Sequence, residues 1–296
     1  MAPHFVYVLV ASEKDMFAEM ASVSAATLRE TTPGARITIL SDTATRDLQS
    51  PAIKFLDSIA DNWICEAFAQ GSGLERSRRL KLTCRGLVEG DFVYLDCDTL
   101  IARDLTPLAR HSGDFSAVRD IGEPLPPIQA LVGEKDWTLP AKRFNSGVLG
   151  LRDTPRVHAM FKDALALWEE AAAGGVYFDQ LAFWLAVERA ALPVTWLASS
   201  FNAQITMKSY AANRPHVFHG FSLQFAERDT TVLHVLAKQL KTDGLMDRGL
   251  LATFIETGNP WTRLSRPGQY VALGRPVGAA AAALRLLLKT EKSVGG

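Results

Sequence analysis

The chain has 296 residues, 48% of them hydrophobic, with 32 basic and 32 acidic side chains and so no formal net charge. That is ample apolar material for a globular core, which excludes disorder as the default, and the balanced charge leaves no global field of the kind that gathers nucleic acid. Three cysteines, Cys65, Cys84 and Cys97, form no C-x-x-C pair, which argues against a disulfide framework and for reduced thiols in a cytoplasmic setting.

The first residues lack a basic leader, and their apolar run is too short for a signal core, so Phe5 to Val10 is expected to be a first strand. A helix is expected from about Lys14 to Glu30, then a strand from Arg36 to Leu40 that ends in Ser41 and Asp42. A helix over Leu74 to Leu87 is stopped by Gly90 and leads into the strand Phe92 to Leu95, and Ser116 to Val118 reads as a further strand. This alternation predicts an α/β protein with parallel strands and crossover helices. From Ile121 to Arg143 the composition turns to Gly, Pro and charge, too long for an ordinary connection, and the expectation is a lid that excludes water and becomes ordered when a ligand binds. Thr154 and Pro155 announce a helix to about Glu170, and another follows Asp179 and Gln180 through Val187. No run reaches the roughly 20 apolar residues of a membrane span. The tail after Gly244 mixes Arg263, Arg266, Arg275, Arg285, Lys289 and Lys292 with Trp261 and leucines. That composition suits either a helix packed on the domain or a segment lying on a membrane surface.

The residues best suited to chemistry are Asp96 and Asp98, delivered by the apolar strand Val93-Tyr94-Leu95. Alternation along an extended strand places both carboxylates on one face with Cys97 pointing away. Two hard oxygen donors at the carboxyl end of a parallel strand suit Mg²⁺ or Mn²⁺ and, through it, a diphosphate. A pair of solvated acids in a strand-end turn would read the same. The aspartyl phosphotransferase pattern D-x-D-x-[TV] also needs two acids, but here Leu100 holds the fifth position and no later Gly-Asp-x-x-x-Asp follows. A third, neutral ligand is expected to be histidine. His234, in the strand-like run Thr231 to Lys238, and His219, followed by a glycine, are the candidates.

The text around the acids is more specific than the acids. Arg78-Arg79-Leu80-Lys81-Leu82 precedes Tyr94-Leu-Asp-Cys-Asp-Thr-Leu-Ile-Ala-Arg-Asp-Leu-Thr-Pro-Leu108, and Phe144-Asn145-Ser146-Gly147-Val148-Leu149-Gly150-Leu151 and Asp179-Gln180 follow. In these islands the chain resembles the retaining glycosyltransferases of family 8, the glycogenin and lipopolysaccharide-galactosyltransferase type. The resemblance implies a GT-A fold, with a Rossmann-like nucleotide half and a mixed central sheet flanked by helices, over residues 1–244, and a C-terminal helical extension over 245–296.

It also implies roles. The donor would be a nucleotide sugar, with UDP-hexose the expected form, held by Ser12 and Asp15 at the base end and by Arg79, Asp96, Cys97, Asp98, Asp120, Asn145 and Lys238. Asp96, Asp98 and His234 would hold Mn²⁺ or Mg²⁺. Asp179 would meet sugar hydroxyls, although an Asp there also reads as a helix cap, and Gln180 would lie beneath the anomeric carbon and stabilise positive charge during front-face transfer with retention. Around His234 the chain departs from the family's H-x-x-G-x-x-K-P-W: Ala237 replaces the glycine, and Lys238 is two residues early and Lys241 one late. The acceptor would be a glycan, a lipopolysaccharide or a lipid-linked hydroxyl, and no nucleic acid is expected. A nucleotide-sugar-binding protein with little or no turnover is the alternative.

Overall fold

A computed structural model describes residues 2–120, 122–204, 214–220, 231–262, 280, 281, 283 and 284. The strands β1 (His4–Leu9), β2 (Arg36–Asp42), β3 (Asn62–Glu66) and β4 (Phe92–Leu95) are parallel neighbours in the order β3-β2-β1-β4. The connecting helices α1 (Phe17–Thr31), α2 (Thr43–Arg46), α3 (Pro51–Ile59) and α4 (Gly73–Leu87) cover this half. β1 and β4 are buried along their whole length, as expected of strands with helices on both faces. The expected helix from Lys14 begins instead at Phe17, because Asp15 is used by the preceding turn: its carboxylate accepts hydrogen bonds from Ser12 N (2.9 Å), Ser12 Oγ (2.7 Å) and Phe17 N (3.1 Å).

After a short β5 (Thr99–Ile101) and α5 (Thr106–Ala109), the sheet continues through β6 (Phe115–Arg119), β7 (Phe144–Leu151) and β8 (Val194–Trp196), giving the order β3-β2-β1-β4-β7-β6-β8. β7 runs antiparallel to both β4 and β6, so the sheet is mixed. The stretch from Ile121 to Arg143 is not one irregular lid: it holds α6 (Pro126–Glu134), whose Ile128 and Leu131 are buried in the main core. The proline pair Pro126 and Pro127, read as loop composition, instead sets the first turn of that helix.

Helices α7 (Pro155–Ala173) and α8 (Asp179–Arg189) pack on each other and on α4 and β7. A second sheet joins β5 and β9 (Ala203–Gln204) through β10 (Val217–His219), which is antiparallel to β5. Two helices follow, α9 (Val232–Asp243) and α10 (Arg248–Thr257). The strand-like reading of Thr231 to Lys238 is therefore corrected. Thr231 caps the helix, the buried Val232, Leu233, Leu236, Ala237 and Leu240 recur at helical spacing, and Gly244 closes it at φ 73°. Phe254 of α10 shares a buried cluster with Leu236 and Phe218, so the start of the proposed extension packs on the same body. The basic tail beyond Thr262 lies, apart from four residues, outside the described residues.

At the amino end of the strands, opposite the ligand-facing end, His4 accepts a hydrogen bond at Nδ1 from Arg36 (2.6 Å) and meets Thr38 Oγ1 at Nε2 (2.8 Å). Burial, followed by the charges of Arg36 and Arg85, pushes its imidazole down to about 4. The unfolded chain therefore binds the extra proton first, and stability is in full above about pH 6.5 and is lost as pH falls toward 4. The effect on stability is on the order of 1–3 kcal/mol. Urea unfolding of a His4→Gln variant is expected to lose that part of the slope between pH 6.5 and 4; an unchanged slope would assign it elsewhere.

Candidate active site

Asp96 and Asp98 follow the end of β4, the strand beside β1 where the strand order reverses, at the carboxyl end of both. They do not lie on a continuing strand. Residues 96–98 form the turn from β4 to β5, closed by Thr99 Oγ1 donating to Asp96 O (2.9 Å), and the turn brings the two carboxylates together. The register of β5 with β10 pairs His219 with Thr99, the residue after Asp98. His219 Nε2 is consequently 3.4 Å from both Asp96 Oδ2 and Asp98 Oδ1. Ligand atoms of the three residues all lie within 4.8 Å of one another.

This places His219, not His234, with the acid pair. His234 is buried on α9, and its Nδ1 meets the Oγ1 of the capping Thr231 at 2.8 Å. The sequence pattern misleads there because a histidine in an apolar run looks the same in a helix as in a strand. The separation of 3.4 Å compares with about 3 Å between adjacent ligands of an octahedral ion with bonds near 2.1 Å, and two carboxylates with one imidazole form a donor set for Mg²⁺ or Mn²⁺. The residues fit a divalent metal.

Behind the acids stands a lysine that sequence reading missed. Lys81, 3% exposed, reaches Asp96 Oδ1 (3.1 Å), Asp179 Oδ2 (2.9 Å) and Ser146 Oγ (3.2 Å). Tyr94 also donates its hydroxyl to Asp96 Oδ1 (2.5 Å), so Oδ1 is occupied and Oδ2 is turned to His219. Although burial opposes ionisation, Lys81 and then His219 hold the Asp96 carboxyl far below the ordinary range. Burial also opposes the charge on His219, yet Asp98 and Asp96 raise its imidazole to about 10. For Asp179, burial is again outweighed, by Lys81 and Arg78, and its carboxyl is lowered.

Asp179 opens α8 but does not cap it; the cap position is Phe178 and the carboxylate is committed to Lys81 and, at 3.3 Å, to Arg78 Nε. Arg79, the expected donor contact, points elsewhere. One residue along a helix is a turn of about 100°, which carries Arg79 to Glu169 (2.5 Å) and the Trp168 ring, whereas Arg78 and Lys81, three apart, share the face toward the site. That i, i+3 spacing was the available signal.

Two clefts meet at Asp96, Arg78 and His219. The larger, about 450 Å³, is lined by the end of β1, Ser12, Asp15, Arg78, Cys97 and Asp98. Cys97 is buried, with Sγ 3.2 Å from Val8 O. The smaller, about 190 Å³, gathers Asp120, Asn145, Ser146, Phe178, Asp179 and Gln180. Gln180 is held at both ends: Oε1 accepts from Ser146 N (3.0 Å) and Nε2 donates to Asp120 Oδ2 (2.7 Å). Lys238 is exposed on α9 and lines neither cleft, while Lys241 donates to the carbonyls of Glu13 (3.0 Å) and Asp15. α9 packs along α1, and neither lysine is among the residues lining the two clefts.

Gly147 has its backbone against the imidazole: a Cβ there would lie 2.0 Å from His219 Cε1. Gly147→Ala must displace the ring, and Mn²⁺ affinity by titration calorimetry is expected to fall about 10-fold or more. Affinity equal to that of the parent would mean that the imidazole is not a ligand.

No family model and no curated protein matches the sequence. Solved structures do match the fold. Mouse xyloside xylosyltransferase 1 in its apo form superposes with a TM-score of 0.53 at 16% identity, covering 74% of this chain and 97% of that one. The galactosyltransferase LgtC, in complex with donor and acceptor sugar analogues, gives 0.53 at 18%, covering 74% and 87%. The apo glycosyltransferase GlyE of Streptococcus pneumoniae gives 0.56 at 15%, covering 89% and 66%. The chain has the GT-A glycosyltransferase fold. In GT-A terms the mixed seven-stranded sheet is the expected one, and the Asp96, Asp98 and His219 cluster lies at the carboxyl ends of its central strands. Among the described residues no helix is long and apolar enough to cross a membrane.

Proposed function

We propose that the chain is a metal-dependent glycosyltransferase that moves a hexosyl group from UDP-hexose to a hydroxyl of a glycan, lipopolysaccharide or lipid-linked acceptor, with retention at the anomeric carbon. One observation carries the reading: a three-residue divalent-metal donor set joins two clefts, one suited to a nucleotide and one lined by groups that bind hydroxyls. A metal held by Asp96, Asp98 and His219 would supply positive charge to the departing diphosphate.

The protein's own groups do the rest. Ser12 and Asp15 shape the rim at the base end of the larger cleft, locked to each other by their hydrogen bonds. Arg78, common to both clefts, provides the cation near the phosphates that Lys238 and Lys241 do not. In the smaller cleft Asp120 and Asn145 read sugar hydroxyls. Asp179, fixed by Lys81 and Arg78, remains an ionised acceptor. Gln180 Oε1 accepts from Ser146 N at 3.0 Å and has Ser146 Oγ only at 3.5 Å, farther than the 3.2 Å from that hydroxyl to Asp179, and an amide oxygen stabilises developing positive charge at the anomeric carbon without forming a lasting adduct.

The displacement of both lysines from the clefts favours a second reading, a nucleotide-sugar binder with little turnover. Calorimetric titration of UDP with and without Mn²⁺, paired with a UDP-hexose hydrolysis assay, separates the two. The transferase is expected to show metal-dependent binding and hydrolysis, whereas binding without hydrolysis or transfer favours the binder and no metal-dependent binding removes both.

A further inference from the structure

We propose that Asn202 is a positioning residue that fixes the proton of His219 on Nδ1, so that Nε2 presents its lone pair to the metal, and that it ties the metal site to the sugar cleft. The metal part rests on the reading above; the proton assignment rests on hydrogen bonds alone. Asn202 is 1% exposed, between the turn Ser199–Phe201 and β9.

The assignment starts from a group whose direction is not open to choice. A backbone N–H can only donate, and Gly147 N lies 2.9 Å from the side-chain amide of Asn145, so the oxygen Oδ1 of Asn145 must face it. That same oxygen lies 2.9 Å from one arm of the Asn202 amide. An oxygen brings no proton, so this arm of Asn202 is its NH₂. The other arm is then the carbonyl oxygen, and it faces His219 Nδ1 at 2.9 Å. Again the oxygen brings no proton, so Nδ1 carries it. The opposite tautomer would set the Nδ1 lone pair against the Asn202 oxygen in a buried site, where no water relieves the repulsion.

The consequence falls on Nε2, the nitrogen 3.4 Å from Asp96 and Asp98. A neutral imidazole binds metal through the nitrogen without a proton, and the partner of the other nitrogen decides which that is. Asn202 also spans two functions, because Asn145 lines the sugar cleft. A sugar that draws Asn145 out of place would loosen the support of the metal ligand, and a bound metal holds Asn145 ready.

Two variants separate the parts. Asn202→Leu removes both arms, whereas Asn202→Asp keeps an acceptor for His219, places a carboxylate there, and loses the donor to Asn145. In metal-free protein labelled with ¹⁵N-histidine and raised to the pH at which the ring gives up its second proton, His219 is expected to release the Nε2 proton and keep a protected Nδ1–H in the parent and Asn202→Asp, and to lose that Nδ1–H in Asn202→Leu. Mn²⁺ affinity, by titration, is expected to fall about 10- to 100-fold in Asn202→Leu and by no more than a few-fold in Asn202→Asp, while UDP-hexose hydrolysis falls in both. Thermal unfolding shows whether each variant is folded. A parent without the Nδ1–H signal, or Asn202→Leu with both signal and affinity intact, overturns the proposal. A parent that shows the signal but binds no Mn²⁺, with or without UDP, supports the proton assignment and overturns the metal reading and the coupling.

Discussion

Replacing Lys81 with methionine is expected to produce the largest loss of any single change in the site, in stability and in activity together. The ammonium is buried and reaches the carboxylates of Asp96 and Asp179 at 3.1 and 2.9 Å. Burial by itself would lower the lysine's affinity for its proton, but the two acids, Asp179 foremost, raise it. Methionine has nearly the same length and no charge, so packing survives while the buried Asp179 and the part-buried Asp96 lose the cation between them. Breaking a buried ion pair from one side costs about 3–5 kcal/mol, and the acids would relieve part of that by taking up a proton. Both outcomes remove function, since a protonated Asp96 is a poor metal ligand.

Chemical denaturation should show the loss, and the double variant Lys81→Met with Asp179→Asn should recover much of the stability without recovering donor hydrolysis. A single variant as stable as the parent would mean that the lysine does not neutralise the acids. Arginine at position 81 is not expected to rescue, because a planar fork does not fit a site only 3% exposed.

Asp98→Ala carries the second large effect, and it concerns function far more than folding. Asp98 keeps a quarter of its side chain exposed and makes no contact to Lys81, and Asp96 stays beside the His219 imidazolium, so its removal is expected to cost about 1–3 kcal/mol, less than the change at Lys81. It takes away one of three donors and one of the two negative charges in the set, leaving Asp96 and His219 to share the ion with water and phosphate. UDP binding in the presence of Mn²⁺ is expected to weaken at least about 100-fold, to the level seen with chelator, and hydrolysis of the donor to vanish with it. Metal-dependent UDP affinity that persists in this variant would remove the metal from the proposed mechanism. Because Lys81→Met disturbs folding more than Asp98→Ala does, the pair distinguishes a damaged scaffold from a missing ligand.

The sequence by itself determined a good deal. The alternation of buried strands and amphipathic helices announced an α/β body, and the strand before Asp96 and the helices opened by Pro155 and Asp179 are where local pattern placed them. Such features are set by propensity, capping and burial within ten or fifteen residues, so they can be read without knowing what lies across the core. Its pattern also singled out Asp96 and Asp98, and the family resemblance added Asp120, Asn145, Asp179 and Gln180; all six line the two clefts.

What only the tertiary structure decided depends on which face of an element turns inward and what meets it. The choice between Arg78 and Arg79 is a rotation of about 100° about α4. The choice between His219 and His234 depends on β10 pairing with β5 next to Asp98, while Thr231 starts a helix that carries His234 into a different cluster. Lys81 looked like an ordinary helix-surface lysine until two acids from distant parts of the chain closed over it, and Asn202 lies in a stretch with no pattern at all. The opening pair, Asp96 and Asp98, was legible as residues and misread as geometry. Their convergence comes from the turn between β4 and β5 and not from the alternation of an extended strand.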